Sequence, residues 1–410
     1  MKITRSTKCT LKYSTDKKKE QLNTVLQEYG KVTNVFIDHF WKNGVVKKTE
    51  LLKPVVDIPI NGTWLSARLR KVSAREALDM VNSVKEVFES NKEQLETSIS
   101  SIESKLKTTI PNTKKNRRRI NNLHCILKKK KMKLDMITPH KPVHKGKRMS
   151  VSSTTAELQN IKKSSRVLFD AWLHIASVGN KITMNLPIKY HKHFNELNTK
   201  SHRLNAYIIT NDYVQFCFER ETGEKKEVKT LVGVDTGINA LASTSNREQL
   251  GLDIKECVNR KKRCQYGSKG YKRATNALKQ RINEIAKVVV NSTDLLVVEK
   301  LKNLNNNSKL KGRLSKNARS SIGKWNYSYW LKRLEMCCEE NRVSFRTVSP
   351  YYTSQKCSVC GYTSRTNREG EKFLCQKCNH SDNADINAAF NILSRFVTGK
   401  YGSCYKHLVL

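Results

Sequence analysis

Two cysteine pairs near the C-terminus constrain this chain more than any other feature. From Pro350 the sequence reads P-Y-Y-T-S-Q-K-C-S-V-C-G-Y, and a fourteen-residue loop then leads to C-Q-K-C-N-H. Cys357, Cys360, Cys375 and Cys378 at this spacing suit one tetrahedral Zn²⁺, with no coordination position left for a substrate. A redox dithiol or a chance pairing is the alternative, but a second CxxC at ribbon spacing argues against both. Gly361 follows the first pair and Asn379 the second. These residue types tolerate the left-handed turn that aims backbone N–H groups at sulfur. The expected metal is structural, so any chemistry must lie nearby.

Seven residues beyond the last cysteine, Asp385 opens A-D-I-N-A-A-F-N-I-L, in which Ile386, Ala389, Ile392 and Leu393 share a helical face. A carboxylate in a first helical turn is favoured by the helix dipole alone. Two distant acids give it more weight. Thr230–Ser245 reads T-L-V-G-V-D-T-G-I-N-A-L-A-S-T-S, placing Asp235 inside an apolar strand beside Gly233, with Gly237 allowing a bend or close approach just after. Such a carboxylate is costly to bury unless a metal or hydrogen-bond donors compensate it. Asp294–Leu301, D-L-L-V-V-E-K-L, is a second buried-type strand ending at Glu299, and Arg342–Val348 a third. Singly, Asp235 and Glu299 could each be strand-end acids paired with Lys or Arg. Jointly, the three acids suit an RNase H-like sheet whose carboxylates converge on Mg²⁺ or Mn²⁺, hard ions that prefer oxygen. Two such ions can activate water and stabilise a leaving 3′-oxygen.

The formal charge of +42 over 410 residues far exceeds what solubility requires. So much positive charge opposes compaction unless a polyanion neutralises it, and nucleic acid is the leading partner. No apolar run reaches membrane-spanning length, no signal-peptide core follows Met1, and no basic amphipathic helix has a bulky apolar face for a lipid surface. Eight cysteines lie outside the ribbon without a disulfide-like pattern, which fits reduced thiols in a prokaryotic cytosol or nucleoid.

The remaining chain reads as an α/β multidomain protein. Ile3–Tyr13 alternates as a strand, and Ser14, Thr15 and Asp16 offer helix caps. Leu22, Val25, Leu26, Tyr29, Val32, Phe36 and Phe40 then form an apolar stripe ending near Gly44. A second helix runs from about Ser66 to Val87. Lys114–Arg148 carries fourteen Lys or Arg against one acid, Asp135. Lys114, Lys115, Arg117, Arg118, Arg119 and Lys128, Lys129, Lys130 and Lys131 cluster there without the acids of a self-neutralising surface, so phosphate contact is expected over a merely solvated face. Lys261, Lys262 and Arg263 form a further candidate cluster in a basic helical stretch from Lys255 to Lys287. Lys181–Ile188 and Leu204–Glu219 look like strands, the latter turning at Asn211-Asp212. With the first strand they suggest a small barrel interrupted by helices.

The G-V-D-T-G, V-V-E-K-L, T-S-Q-K-C-S-V-C-G, C-x-x-C and D-I-N-A-A-F-N-I-L blocks together resemble those of TnpB, the RNA-guided nuclease of bacterial insertion sequences, and of compact type V CRISPR effectors. The resemblance is ordered from about Thr230 to Leu393. It implies a RuvC nuclease domain over 230–350 and 381–397 with Asp235, Glu299 and Asp385 as its metal-binding triad. A zinc-ribbon insertion for target nucleic acid would span 351–380. A wedge β-barrel would occupy 1–15 and 150–229, a helical recognition lobe 16–149, and a tail 398–410. It further implies guide RNA and target DNA as partners, with no protein oligomer required. Asp382 is a second acid near Asp385, read as a cap or an auxiliary acid. Arg365 or Arg368 could face transition-state charge. The competing readings are a CRISPR-associated effector, a guided DNA-binding regulator without cleavage, and a strand-joining transposase; the last fits poorly with a ribbon placed just before the third acid.

Overall fold

β1 (Lys2–Thr10) turns Ile3, Thr7 and Cys9 inward, as alternation requires. The computed structural model describes residues 2–43, 60, 62–161, 167–301 and 315–399. Gly44 and nearly all of the 398–410 tail therefore lie outside the described residues. Contacts divide the chain into two units, one spanning 4–220 and the other 221–410 with residues 1–3.

In the first unit, α1 (Asp16–Asn43) buries the expected stripe from Leu22 to Phe40. α2 (Ala67–Thr108) begins at Ser66, whose hydroxyl accepts from the Leu69 N–H. It runs well past Val87, where the sequence stripe ends. Beyond that point only Ile99 and Ile102 are buried, so the helix rests there on the propensity of its Glu, Lys, Gln and Leu residues. α3 (Lys114–Met136) buries no residue at all.

Seven strands complete this unit: β1, then β2 (Arg148–Ser152), β3 (Ala156–Asn160), β4 (Ala171–Ile175), β5 (Met184–Ile188), β6 (His202–Thr210) and β7 (Tyr213–Glu221), with α4 (Lys192–Lys200) before β6. They form two sheets, β1-β7-β6-β2 and β3-β4-β5, instead of one closed ladder. Both pack with α1 and α2 into one core containing Leu26, Phe36, Met149, Leu173, Leu186 and Phe216. The β6–β7 hairpin turns at Asn211-Asp212, with Ile209 opposite Val214.

A buried acid ties this unit together. Glu76 on α2 accepts hydrogen bonds from Tyr29 on α1 at 2.9 Å and from Arg148 and Ser150 of β2, each at 2.9 Å. Burial alone would raise its pKa. The contacts from His144 and Tyr29, the Arg148 charge and Ser150 outweigh that effect and hold it at about 2. A depressed carboxylate stabilises the fold above its unfolded pKa near 4.5 and loses that contribution as pH falls toward 2. Urea unfolding should therefore show Glu76→Gln less stable than wild type by about 3 kcal/mol at pH 7. The gap should close as the acid limit is approached; a gap independent of pH would refute this account.

The second unit is a layered α/β structure. Its sheet has the order β10-β9-β8-β11-β12, formed by β8 (Leu231–Asp235), β9 (Ala242–Thr244), β10 (Gln249–Leu250), β11 (Leu295–Glu299) and β12 (Ser344–Val348). β8, β11 and β12 run parallel, and β9 is antiparallel to β8. Leu296 and Val298 face a cluster with α5 (Ile254–Arg263), α6 (Lys269–Asn291) and α8 (Tyr327–Asn341), while α7 (Lys316–Lys324) precedes α8. Leu295 and Val297 face the other way, against Ile392 and Leu393 of the last helix, Ala384–Thr398. Burial on both faces explains why β11 reads as an unbroken apolar run. Between β12 and that helix lies a small antiparallel sheet of β13 (Arg368–Glu369), β14 (Lys372–Leu374) and β15 (Ser381–Asn383). The last helix is α9.

Candidate active site

Strand register brings the first two acids together. β11 pairs β8 in parallel with Val298 opposite Val234, so the next residues, Glu299 and Asp235, stand side by side where adjacent strands end. Strand spacing of about 4.8 Å sets their separation, and the C-terminal edge of parallel strands is where α/β folds gather ligands. Asp385 arrives from α9, which crosses β8 so closely that a Cβ on Gly233 would lie 2.4 Å from the Ala389 carbonyl oxygen. Gly233 is therefore the point of close approach, whereas the sequence suggested close approach or a bend at Gly237. The Asn383 side chain caps α9, accepting from the N–H groups of Asp385 and Ile386 at 2.9 and 3.2 Å. Asp382 is not the cap. Its carboxylate instead pairs with Arg247 at 3.2 Å.

Electrostatics agree with this convergence. Burial, then the charges of Glu299 and Asp385, push Asp235 well above the usual carboxylate range, with Arg368 opposing. Burial also raises Glu299, against a hydrogen bond from the Thr353 hydroxyl and the charges of Arg395 and Arg368. The Tyr327 hydroxyl donates to the Glu299 carbonyl at 2.8 Å and accepts from the Leu301 N–H at 3.2 Å, fixing the strand end. Arg368 donates to Asp385 at 2.8 Å. Of the two arginines between the cysteine pairs, it is the one that reaches a carboxylate of this group. The three carboxylates do not all bring an oxygen within 4.8 Å of one another, whereas the four cysteine sulfurs do. Acids flanking a pair of ions can be spaced more widely than ligands closing around one.

The ribbon folds as two matching turns. Gly361 and Asn379 both adopt left-handed backbone, φ 76° and 55°. Gly361 N–H donates to the Cys357 carbonyl and Asn379 N–H to the Cys375 carbonyl, each at 3.0 Å. The sulfurs of Cys357 and Cys378 are 3.7 Å apart, and those of Cys360 and Cys375 3.5 Å apart. Four thiols this close could hold one zinc ion.

Four supporting residues escaped the sequence reading. Asn387 and Asn391 of α9 are buried and donate to the Lys356 carbonyl at 2.8 and 2.7 Å, and Asn391 also to the Thr353 carbonyl at 2.9 Å. One turn further, Arg395 donates to the carbonyls of Ser349 and Tyr351. Thr353 itself donates to Glu299. The N-x₃-N-x₃-R spacing of Asn387, Asn391 and Arg395 puts three donors on one helical face, a signal hidden by the apolar residues between them.

The basic candidates separate by environment. Lys114, Lys115, Arg117, Arg118, Arg119, Lys128 and Lys129 are exposed on α3, Lys130 is half-buried, and Lys131 pairs with Glu103 at 2.7 Å. Arg263 is exposed. Lys261 is buried, its ammonium donating to the Lys324 carbonyl and the Asn326 side chain at 3.1 and 3.0 Å. Its charge is spent inside the fold. Lys262 donates to Asn317 and Ser321. Among the described residues, no helix is long and apolar enough to cross a membrane.

Comparison with known proteins follows the same lines. Residues 327–392 match the family model of the Cas12f1-like TNB domain. A TnpB-like protein of Aquifex aeolicus (strain VF5) is 39% identical over 116 residues, 27% of this chain and 37% of that protein. InsQ of Escherichia coli (strain K12), provisionally named an RNA-guided DNA endonuclease, is 26% identical over 195 residues, 40% of this chain and 48% of its own. The chain thus spans less than half of these relatives. A CRISPR-associated endodeoxyribonuclease Cas12f1 of Sulfoacidibacillus thermotolerans is 39% identical over 69 residues, 17% of this chain and 16% of that one. Among solved structures, the mini-RNA-guided endonuclease CRISPR-Cas_phi3 aligns with TM-score 0.53 at 11% identity, covering 98% of this chain and 93% of that chain. Sequence likeness to TnpB-like and Cas12f1 proteins is thus joined by a likeness of fold to CRISPR-Cas_phi3.

Proposed function

We propose that this chain is an RNA-guided DNA endonuclease of the TnpB type. The carrying observation is the convergence of Asp235, Glu299 and Asp385 from two adjacent strand ends and a helix start. In this reading the layered sheet is a RuvC domain over 230–350 and 381–397, and residues 351–380 form a zinc ribbon for target nucleic acid. Residues 1–15 and 150–229 form the wedge, and 16–149 the recognition lobe. The names borne by the similar proteins, which include RNA-guided and CRISPR-associated endonucleases, support it. Asp235, Glu299 and Asp385 would hold Mg²⁺ or Mn²⁺, which when bound supply an activated water and charge stabilisation at the leaving 3′-oxygen. Thr353 orients Glu299, the Asn383 cap fixes Asp385, and Arg368 sets a positive charge where phosphate charge would develop. Guide RNA would supply sequence choice by base pairing. All three acids are present, which disfavours a binding-only regulator.

The test is to purify the protein with its bound RNA, sequence that RNA, and offer supercoiled DNA bearing the complement in Mg²⁺. Cutting that depends on the complement is expected; guide-independent cutting, or none in Mg²⁺ or Mn²⁺, would overturn the proposal. The co-purified RNA also separates a transposon-end transcript from a CRISPR repeat.

The exposed face of α3 would contact the RNA backbone. Neutralising Lys128, Lys129, Lys130 and Lys131 together should flatten the log–log salt dependence of RNA binding by about 2–3 units. That corresponds to roughly 0.7–0.9 per released phosphate contact, with Lys131 held back by Glu103. Target sequence choice should not change. An unaltered slope would make the run a bystander.

A further inference from the structure

Tyr351 and Tyr352 stand 65% and 59% exposed at the start of the ribbon. We propose that they form a stacking platform for unpaired bases of a single-stranded nucleic acid beside the carboxylate site; this rests on the nuclease reading above. Among the described residues, both make backbone hydrogen bonds while more than half of each stays exposed. Arg395 donates to the Tyr351 carbonyl at 2.6 Å, and the Tyr352 carbonyl accepts from the N–H groups of Gln355 and Lys356 at 3.1 and 3.0 Å. The next residue, Thr353, is buried and touches Glu299. Consecutive Cα atoms lie about 3.8 Å apart, so the rings project from a segment one and two residues before the threonine that touches Glu299.

Conformation sharpens the point. Tyr352 has φ +63°, a region that a bulky side chain enters only at a cost and a glycine would occupy freely. A strained aromatic left more than half exposed calls for another use. A base presents its flat π-face to a ring when it is unstacked from its neighbours, as the bases of a single strand readily become, and stacking tolerates every sequence, as a guided nuclease requires. The +42 formal charge favours a polyanion over a protein as occupant.

The test uses the protein–RNA complex and a short single-stranded DNA carrying 2-aminopurine, whose fluorescence is quenched by stacking. Wild type should bind and quench. Tyr351→Ala with Tyr352→Ala should weaken binding about 10- to 100-fold and lose the quenching. Guided cutting by this pair should need correspondingly more DNA for half-maximal rate, with the maximal rate nearly kept. Tyr351→Phe with Tyr352→Phe should behave as wild type, because the ring suffices. Tyr352→Gly should raise the melting temperature while weakening binding, an outcome that a structural tyrosine would reverse. The platform is refuted if the Ala pair binds and quenches normally, if the Phe pair fails like the Ala pair, or if Tyr352→Gly lowers the melting temperature. Ring-dependent quenching without any guided cutting would leave the platform standing and remove the nuclease reading.

Discussion

Asp235→Asn should abolish strand cutting and, in metal-free protein, raise the melting temperature. The two effects share one cause. Asp235 lies among Glu299 and Asp385, and burial with their charges pushes its carboxyl well above the ordinary range. The folded protein thus binds that proton more tightly than the unfolded chain. This group's contribution is fully present below the unfolded carboxylate pKa and is lost as pH rises through the folded one. Asparagine keeps the shape without the charge, so the variant should gain stability over wild type as pH rises. Relief of a buried charge crowded by like charges is worth about 1–4 kcal/mol, or roughly 2–16 °C for a domain of this size. Cutting should fall at least about 10³-fold if, as proposed, Asp235 is one of the carboxylates that hold the metal. Asp385→Asn should match that loss yet not the stabilisation, because it breaks the 2.8 Å pair with Arg368. Scanning calorimetry in chelator, with plasmid cutting in Mg²⁺, reads both. Normal cutting by Asp385→Asn alongside its loss in Asp382→Asn would reverse the assignment of the third acid. A melting temperature lowered by Asp235→Asn would mean that the three acids do not share a field.

The same residues show how far the sequence could be read. Asp235, Glu299 and the strands that carry them were legible because a parallel sheet buried on both faces leaves runs such as L-L-V-V-E. The left-handed turns at Gly361 and Asn379 were legible because few residue types accept them. Strands β2, β3 and β4 were not. They are five residues each, β3 buries only Ala156, and no glycine marks the turns that join β2 to β3 or β3 to β4. The length of α2 escaped because its distal half buries little and leaves no stripe. Lys261 escaped because nothing local distinguishes it from Lys262. What buries it is Lys324 and Asn326, more than sixty residues away. Likewise the link from Thr353 to Glu299 spans |i−j| = 54, and no window on the sequence contains both partners.

Cys357→Ser should remove zinc and, with it, nuclease activity, although among the described residues none of the four ribbon cysteines is hydrogen-bonded to the carboxylates. The ribbon's own core is small: Cys357, Phe373, Cys375 and Ala384, with Val359 and Cys360 against it. So little apolar burial cannot order the segment alone, and metal binding of about 10–16 kcal/mol would supply most of its folding energy. Burial pushes the metal-free Cys357 thiol up to about 12, so only a bound cation makes a thiolate there favourable. The ribbon also carries Arg368 to Asp385, and the Thr353 and Lys356 carbonyls that it presents to Asn387 and Asn391 connect it to α9. Losing the ribbon therefore removes a positive charge from the acids and loosens the segment that orients Glu299. Elemental analysis should find about one zinc per chain in wild type and little in Cys357→Ser. Guided cutting should drop by at least about 10²-fold, while binding of RNA through 4–220 should be kept. Cys378→Ser should be milder, because Cys378 is exposed and water can take its place as fourth ligand. Limited proteolysis should cut first within 351–380 in the Cys357 variant and in wild type treated with a strong chelator. A zinc-free protein that resists protease there and cuts at the wild-type rate would refute the structural-metal assignment.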